Sequence, residues 1–295
     1  MSTLLLLLAH SSAFALPDVV GADSIGMGST SLAADRSNAA ITTNPGLLAL
    51  HPRYDFSAQI GIGPGLHWAV SGMDARTAER VALGLTYSGD RYEPELTVAE
   101  LPGWVEPGAE IENMKRSHNF AGGLSYAAVE DRVAVGLGGH VSVYNHDRNG
   151  KGTTGNLDVG MGLRPTDAFT VGLSGQNLLP FDPLSDRPMR VGMGLRLDGT
   201  PAAIEVDGGW VDQAGGTPVF VDAGTEVRPG PVRLRAGGRW HGPTNVPSVT
   251  GGLGFEGEGG AIEYGLDIPL GTNGGPIAHI IGLRFGAPAP IDLPQ

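Results

Sequence analysis

The sequence predicts an all-β protein, a fourteen-stranded antiparallel transmembrane β-barrel with an N-terminal hatch segment in the lumen. Three observations predict this fold. From Tyr54 onward, apolar residues alternate with small or polar ones at a period of two. Fourteen segments show the alternation, and bacterial barrels have an even number of strands. The connections between these segments also differ systematically in length, as they do between the two ends of an outer-membrane barrel.

The alternation separates an apolar face from a face of glycine and charge. In residues 132–145, Val133, Val135 and Leu137 alternate with Ala134 and Gly136. A β-sandwich also alternates, but its inner face holds large packed side chains. Lipid outside and a polar lumen inside explain the pattern better. The predicted strands are 54–62, 66–72, 80–88, 117–126, 132–145, 155–164, 168–179, 187–198, 202–212, 217–227, 232–241, 247–256, 260–270 and 277–285.

The connections orient the barrel, because outer-membrane barrels have short periplasmic turns and longer outer loops. With the N-terminus in the periplasm, the short turns 165–167, 199–201 and 228–231 are periplasmic. The connections 89–116, 146–154 and 180–186 then lie outside the cell. The side chains of Val133, Val191, Ile204 and Leu266 are predicted to face lipid. Residues 54–286 form the barrel, and 287–295 form a periplasmic tail.

The first fifteen residues resemble a secretory signal peptide, with an apolar run at Leu4–Ala9 before Ala13-Phe14-Ala15. No Lys or Arg precedes the run, which is atypical, and a buried N-terminal helix is the alternative. Residues 1–15 are therefore predicted to be removed on export. No later apolar stretch approaches the roughly 20 residues that a spanning helix needs.

Residues 16–53 are predicted to form a hatch. Their Ala, Ser and Asn content suits short helices and turns, and 38 residues are too few for a separate domain. A fourteen-stranded barrel is wider than the eight-stranded size that side chains alone fill, so this segment is expected inside the bore. Asn44-Pro45-Gly46 is a rigid turn, because proline keeps Asn44 out of the helical region. The turn is either only structural or closes the pore beside the lumen charges of strands eight to eleven.

The motifs of this segment resemble those of the outer-membrane long-chain fatty acid transporter (FadL/TodX) family and the related PorV-type barrels. Gly21 to Gly28 is similar to the glycine-rich stretch of the family, and Asn38 to Leu48 is similar to its A-x-x-x-N-P-A-G-L pattern. Residues 171–180 and 234–237 resemble the family less specifically. Ser29 replaces a usual glycine, and Gly46 replaces the alanine of Asn-Pro-Ala. The resemblance implies a fourteen-stranded barrel with an N-terminal hatch, whose residues here are Gly26, Met27, Gly28, Asn44, Pro45 and Gly46.

Composition excludes several function classes. A net charge of −12 provides no positive field for nucleic acid, and the absence of cysteine excludes a disulfide scaffold and thiolate catalysis. No serine sits in a nucleophile elbow, and Gly252–Gly257 matches a nucleotide fingerprint without the helix that should follow. In the calcium-loop-like run from Asp147, Lys151 occupies a ligand position. We therefore expect no catalytic residue, no metal and no cofactor.

One charged cluster is expected in the lumen on predicted strands nine to eleven. With 228–231 as the turn, Glu226 lies opposite Arg233, and Asp222 lies diagonal to Arg235 and Arg239. Strand nine adds Glu205 and Asp207 to the same face. The cluster is either a salt-bridge ladder that stiffens the wall, or a set of arginines that meets the carboxylate of a passing amphiphile or braces the hatch.

The predicted function is passage of hydrophobic, fatty-acid-like small molecules across the bacterial outer membrane. The alternative is a PorV-like accessory barrel that serves a secretion or cell-surface machine through protein contacts. An enzyme is not expected. The predicted partners are outer-membrane lipid, a hydrophobic small molecule and, for the alternative, a secretion-machine protein. A transporter requires an apolar pocket that continues to a wall opening, whereas an accessory barrel requires an exposed loop surface.

Overall fold

The computed structural model describes residues 21–34, 37–63, 65–92, 115–146, 150–179, 188–212, 216–243, 245–270 and 277–288. They form a closed barrel of fourteen antiparallel strands, in which each strand pairs with its neighbours in sequence. The first and last strands pair with each other, Tyr54 facing Ala287, and close the barrel. The predicted fold class and strand number are confirmed.

The strand bounds are β1 Arg53–Ile62, β2 Gly65–Ala78, β3 Val81–Tyr92, β4 Lys115–Val129, β5 Val133–His146, β6 Gly150–Thr166, β7 Phe169–Gln176, β8 Arg190–Asp198, β9 Ala202–Val211, β10 Val219–Val227, β11 Val232–His241, β12 Val246–Gly257, β13 Gly260–Pro269 and β14 Ala278–Pro288. Several strands are longer than predicted. Strand β2 continues past residue 72 through polar residues that hide the alternation, because its backbone ladder with β3 continues. Strand β7 is shorter than predicted and ends at Gln176 rather than at residue 179.

The outward face is an apolar band. Each strand exposes at least one large apolar side chain: Phe56, Val70, Leu85, Phe120, Leu137, Val159, Leu173, Met193, Ile204, Val221, Leu234, Leu253, Ile262 and Ile281. Aromatic side chains lie toward both edges, such as Tyr54 and Phe285 at one edge and Trp210 at the other. An apolar band between aromatic girdles is the surface that a barrel presents to a bilayer. In the part of the chain that the structure describes, no helix is long and apolar enough to cross a membrane.

The two ends of the barrel differ. At the end that carries the first residue of β1, the connections are 79–80, 130–132, 167–168, 199–201, 228–231 and 258–259. Strands β2 to β6 have 12 to 17 residues, whereas β7 to β11 have 8 to 10. Because short turns join all the strands at one end, the extra length of β2 to β6 raises the wall at the other end. Short turns are periplasmic in outer-membrane barrels, so we expect the raised wall to face outward from the cell.

Some predicted boundaries are corrected, and others lie outside the described residues. Strand β14 runs to Pro288, so the barrel extends two residues beyond the predicted boundary at 286. Residues 146 and 150–154, predicted to form an outer loop with 147–149, belong to β5 and β6, because these strands pair up to their ends. The signal segment 1–15 and the connections 93–114 and 180–187 lie outside the described residues, as do 289–295.

Residues 21–34 and 37–50, here called the inner segment, contain helix α1 (Ala22–Gly26), helix α2 (Ala40–Thr43) and a 3-10 helix (Pro45–Leu50). Asn44 separates the last two. Its side chain accepts a hydrogen bond of 3.2 Å from the Gly46 amide, and Pro45 takes the first helical position. The predicted Asn-Pro-Gly turn is therefore a capped helix start. Only two residues separate Leu50 from β1, so the inner segment is attached directly to the wall.

Candidate functional site

The inner segment lies in the bore and contacts the inward face of all fourteen strands. Its contact positions on the wall, in strand order, are Asp55, Ser71, Gly84, Ser125, Gly136, Met161, Ser174, Gly194, Asp207, Gly224, Gly237, Thr250, Gly265 and Ile280. Most of its residues are buried, and Ala33, Ala40 and Asn44 are fully so. On β3 to β6 these contacts lie in the half of each strand nearer the short turns, whereas on β7 and β14 they lie nearer the other end. The segment therefore crosses the bore.

Glycines of the wall make room for this close packing. A Cβ atom at Gly172 would lie 1.6 Å from the Leu32 carbonyl oxygen. A Cβ atom at Gly160 would lie 2.2 Å from Asn44 Oδ1. Glycine within a strand often marks such an approach of a second backbone. The inner face of the barrel is thus matched to the shape of the inner segment, residue by residue.

The first of three attachments joins the start of the inner segment to β10, β11 and β12. Gly28 adopts a left-handed backbone with φ 79°, and its amide donates a 2.8 Å hydrogen bond to Thr250 Oγ1. A Cβ atom there would lie 2.4 Å from the Ala223 carbonyl oxygen, so both the conformation and the space require glycine. Next to it, the Met27 backbone lies against Gly224. Gly26, Met27 and Gly28 are thus placed against the wall.

The second attachment joins Ser31, Leu32 and Ala33 to acidic side chains of β9. One carboxylate oxygen of Asp207 accepts hydrogen bonds from the amides of Ser31 (2.7 Å) and Leu32 (2.9 Å). Glu205 accepts from the Ala33 amide at 3.1 Å, and its other oxygen accepts a 2.9 Å hydrogen bond from Arg196. Both acidic side chains are essentially fully buried. These carboxyl oxygens supply hydrogen-bond partners to three backbone amides in a site that water does not reach.

The third attachment is the Asn44-Pro45-Gly46 turn. The Asn44 amide group donates to the Leu32 carbonyl at 2.8 Å and to the Met161 carbonyl on β6 at 3.2 Å. The turn lies against β4 to β7. The expectation that it sits beside the charges of strands eight to eleven is therefore wrong. Leu32 bridges the two regions instead, because it is bonded to both Asn44 and Asp207.

The lumen charges form ion pairs whose register differs from the predicted one. Arg235, not Arg233, lies opposite Glu226, and their side chains are joined at 2.6 Å. Arg239 lies directly opposite Asp222. Arg233 pairs with Glu256 of β12 at 2.6 Å. Residues 232 and 233 extend past the end of β10 and pair only with β12. The pairing of β10 with β11 is therefore shifted by two residues from the predicted register.

Arg235 also connects the wall to the inner segment. It donates to Glu263 at 2.9 Å, and its side chain lies against Gly26. Burial alone would raise the pKa of the Asp23 carboxyl in α1, but the positive charges of Arg235 and Arg284 hold that pKa below its usual value. Asp23 is therefore an anion among cations. This supports the interpretation that the lumen arginines brace the segment as well as stiffen the wall.

Beside Asp23 lies a polar cavity of about 30 Å³, lined among others by Asn38, Ser71, Glu263 and Arg284. A cavity of this size holds a water or two. It lies where the inner segment meets β1, β2 and β14. Within the described residues, no three His, Asp or Glu side chains are grouped as a metal would require.

The barrel has counterparts among solved structures. A Ralstonia pickettii toluene transporter, TbuX, superposes with a TM-score of 0.66 at 14% identity, over 90% of this chain and 97% of that one. The monoaromatic hydrocarbon channel CymD gives a TM-score of 0.67 at 12% identity, with 91% and 97% coverage. A Pseudomonas aeruginosa FadL homologue gives 0.62 at 11%, with 91% and 98% coverage.

The chain has the FadL/TodX barrel fold. No protein-family model and no curated protein matches its sequence. A closed barrel of an even number of antiparallel strands with an apolar outward band is the architecture of bacterial outer-membrane proteins, and this chain has both features. The likeness extends over nine tenths of this chain despite identities of 11 to 14%. At such identities the likeness concerns the fold, and the chain's own residues must support any function.

The attachments of the inner segment include residues that the sequence analysis missed. Ser31 and Leu32 carried no motif, and Asn38 was given no role of its own within the motif that it begins, although all three hold the segment in place. A usable signal was that the wall glycines occupy the alternate positions of each strand that face the lumen. Gly160 and Gly172 occupy lumen positions where a polar side chain would otherwise stand, and glycine there indicates a second backbone close by.

Proposed function

We propose that this protein is an outer-membrane channel for hydrophobic small molecules, and that the inner segment is its hatch, closing the bore at rest. One observation carries the proposal. In a barrel that shares its fold with toluene and monoaromatic hydrocarbon transporters, the bore is filled by a segment whose backbone lies against wall glycines. A general porin requires a water-filled bore. A selective channel can keep its bore closed until a substrate arrives.

The hatch is anchored at one end. Its C-terminal half packs apolar side chains, including Ile41, Leu47 and Leu48, against Met73 and Ala134 of the wall. Its N-terminal half has smaller apolar contacts, such as Ala22 and Ile25 with Ile280, and relies on hydrogen bonds to Thr250, Asp207 and Glu205. Hydrogen bonds can be exchanged for bonds to water, whereas exposing apolar surface costs free energy. Residues 21–34 are therefore the part that moves when the channel opens.

The test is solute entry into Gram-negative cells that produce the protein in the outer membrane. We expect faster entry of labelled toluene than in cells without the protein, and unchanged entry of a labelled hexose. A matched variant, Gly172→Ala, should admit the hexose because its added methyl group displaces the hatch. Equal entry of hexose and toluene through the intact protein would contradict a closed bore.

The accessory-barrel alternative predicts a different outcome of the same experiment. A filled bore also suits a barrel that acts only through protein contacts. In that case neither solute enters faster, and chemical crosslinking on intact cells should trap a protein partner at the outer rim. Faster entry of toluene would exclude a purely accessory role.

A further inference from the structure

A polar grid lies on the inner wall directly outside the hatch, on β3 to β6. Its outer row runs across four neighbouring strands in register and consists of Ser88, Asn119, Ser142 and Thr154. Its inner row consists of Thr86, Ala121, His140 and Asn156. Strand spacings of about 4.8 Å and a two-residue step of about 6.8 Å give a patch of roughly 14 by 7 Å. The next row inward, which includes Gly123 and Gly138, lies against Pro45 of the hatch.

Four side chains of this grid are buried with a polar atom that has no hydrogen-bond partner. They are Thr86, Ser142, Thr154 and Asn156, which are 1 to 6% exposed. The atoms without a hydrogen-bond partner, here called open atoms, are three hydroxyl oxygens and the Asn156 amide oxygen. Ser142 and Thr154 face each other across β5 and β6, yet no hydrogen bond joins them. Buried polar atoms in folded proteins are nearly always bonded. Four open atoms in one patch therefore indicate a place where another molecule supplies the partners.

The chemistry of the open atoms defines the ligand. The side-chain nitrogen of Asn156 lies 3.4 Å from His140 Nε2, and His140 Nδ1 lies 3.4 Å from an Asp158 oxygen. Because these contacts use the nitrogen of Asn156, its side-chain oxygen remains as a hydrogen-bond acceptor. Three hydroxyls, which both donate and accept, and one acceptor suit a hydroxyl group. A hydrocarbon cannot bond to any of them. A site of buried polar groups binds ligands that leave those groups unpaired more weakly than ligands that pair with them.

The surrounding charges disfavour a carboxylate. Asp90 lies on the outer side of the grid and accepts from Ser117 at 3.0 Å, and Asp158 lies on its inner side and accepts from the Asn177 amide at 2.8 Å. Among the described side chains of β3 to β6 that face inward between the hatch and Asp90, none is a lysine or arginine. Arg196, Arg235 and Arg284 lie on β8, β11 and β14, away from the grid. An anion at the grid would thus meet two carboxyl groups and no lysine or arginine.

We propose that the polar grid binds the uncharged hydroxyl group of an otherwise apolar small molecule, and that this class of molecule, rather than a hydrocarbon or a fatty acid, is the preferred substrate. The inference rests on the proposed function of the channel. A molecule held by Ser142, Thr154 and Asn156 would lie directly on the outer side of the Asn44-Pro45-Gly46 turn.

The test compares three probes that share one ring: 4-fluorobenzyl alcohol, 4-fluorotoluene and 4-fluorobenzoate. Their binding to the purified full-length protein in detergent is measured by fluorine NMR. We expect the alcohol to bind at least about tenfold more tightly than either other probe, which corresponds to one hydrogen-bonded group. The Thr154→Val and Ser142→Ala variants should each weaken alcohol binding several-fold and leave the toluene probe unchanged. The control, Thr225→Val, makes the same change on the lipid-facing side.

Each other outcome overturns the inference. If the three probes bind equally, or if the variants bind the alcohol as the parent does, ordered water alone satisfies the grid. If the benzoate binds best, the grid accepts anions. Folding of each variant is checked by heat-modifiable gel migration, and the milder Thr154→Ser variant, which keeps the hydroxyl, should restore alcohol binding. Cellular entry of toluene tests the channel itself, so loss of the alcohol preference with intact entry contradicts only the grid.

Discussion

Ser31 of the inner segment donates its amide hydrogen to Asp207 of β9 across 2.7 Å, and the same carboxylate oxygen accepts from the next amide. Two backbone donors thus converge on one buried carboxyl oxygen of the wall. Without that oxygen, both donors would be buried without partners. The proposed hatch is therefore held against β9 by this attachment.

Removing the carboxylate should loosen the hatch. Asp207→Ala leaves two buried N–H groups unsatisfied, at about 1–3 kcal/mol each. We expect a larger and more variable conductance in planar bilayers than the intact protein shows, with the barrel still folded. Asp212→Ala, at an exposed position just beyond β9, is the control. Equal conductance of all three proteins would mean that Asp207 does not hold the hatch.

A methyl group on the wall should displace the hatch. In Gly172→Ala the new Cβ atom would lie 1.6 Å from the Leu32 carbonyl oxygen, which is backbone and cannot rotate away. We expect steady ion conductance in bilayers and protease cleavage within residues 21–34. Gly259→Ala, in a turn where nothing lies within 4 Å, should behave like the parent. A closed, protease-resistant Gly172→Ala variant would show that the segment adapts without opening.

Deleting residues 21–48 should leave a folded barrel, because β1 and β14 close the strand ladder without the segment. The lumen of such a barrel is too wide for wall side chains to fill. Planar-bilayer recordings should therefore show a permanently open channel. If the deletion variant conducts no better than the intact protein, the outer loops close the lumen, and the hatch proposal fails.

An arginine placed on the lipid-facing side should lower the free energy of unfolding of the barrel, by an amount that depends on its depth in the membrane. Met193 is exposed on the outward face near the middle of β8, and Met193→Arg should cost about 2–4 kcal/mol. Val129 lies at the periplasmic end of β4, where Val129→Arg should cost about 0–1 kcal/mol. The measurement is reversible urea unfolding in lipid vesicles. Equal costs at the two positions would contradict the assigned membrane span.

The orientation can be read by thiol labelling, since the chain has no cysteine of its own. A cysteine at Ala99, in the connection between β3 and β4, should react with an impermeant reagent on intact cells. A cysteine at Glu258, in the short turn between β12 and β13, should react only after the outer membrane is opened. The reverse pattern would invert the barrel.

The sequence predicted the strands well because one face of each strand meets lipid and the other does not. It did not predict the pairing of Arg235 with Glu226. A register shift of two residues keeps every side chain on the same face, so a period-two pattern cannot detect it. That register depends on the two residues by which β11 extends past the end of β10. The closure of the barrel sets this offset between neighbouring strands.

The location of the Asn44 turn was missed for a related reason. Its motif identified a rigid turn, and the bore required a filling, but neither says which wall the turn meets. Glycines at lumen positions of β5 and β6 decide it, because Gly136 and Gly160 let the backbone of the turn approach the wall. The polar grid was equally hidden, since Ser88, Asn119, Ser142 and Thr154 are far apart in sequence and meet only through strand register.

The connection of two residues between Leu50 and β1 also constrains how the molecule is assembled. The segment is attached to β1, which pairs with β14 to complete the ring. It also contacts all thirteen remaining strands. The segment is thus fixed at the mouth of the bore as soon as β1 is in place. Its entry into the bore and the pairing of β1 with β14 involve the same stretch of chain, so the two steps of assembly are coupled.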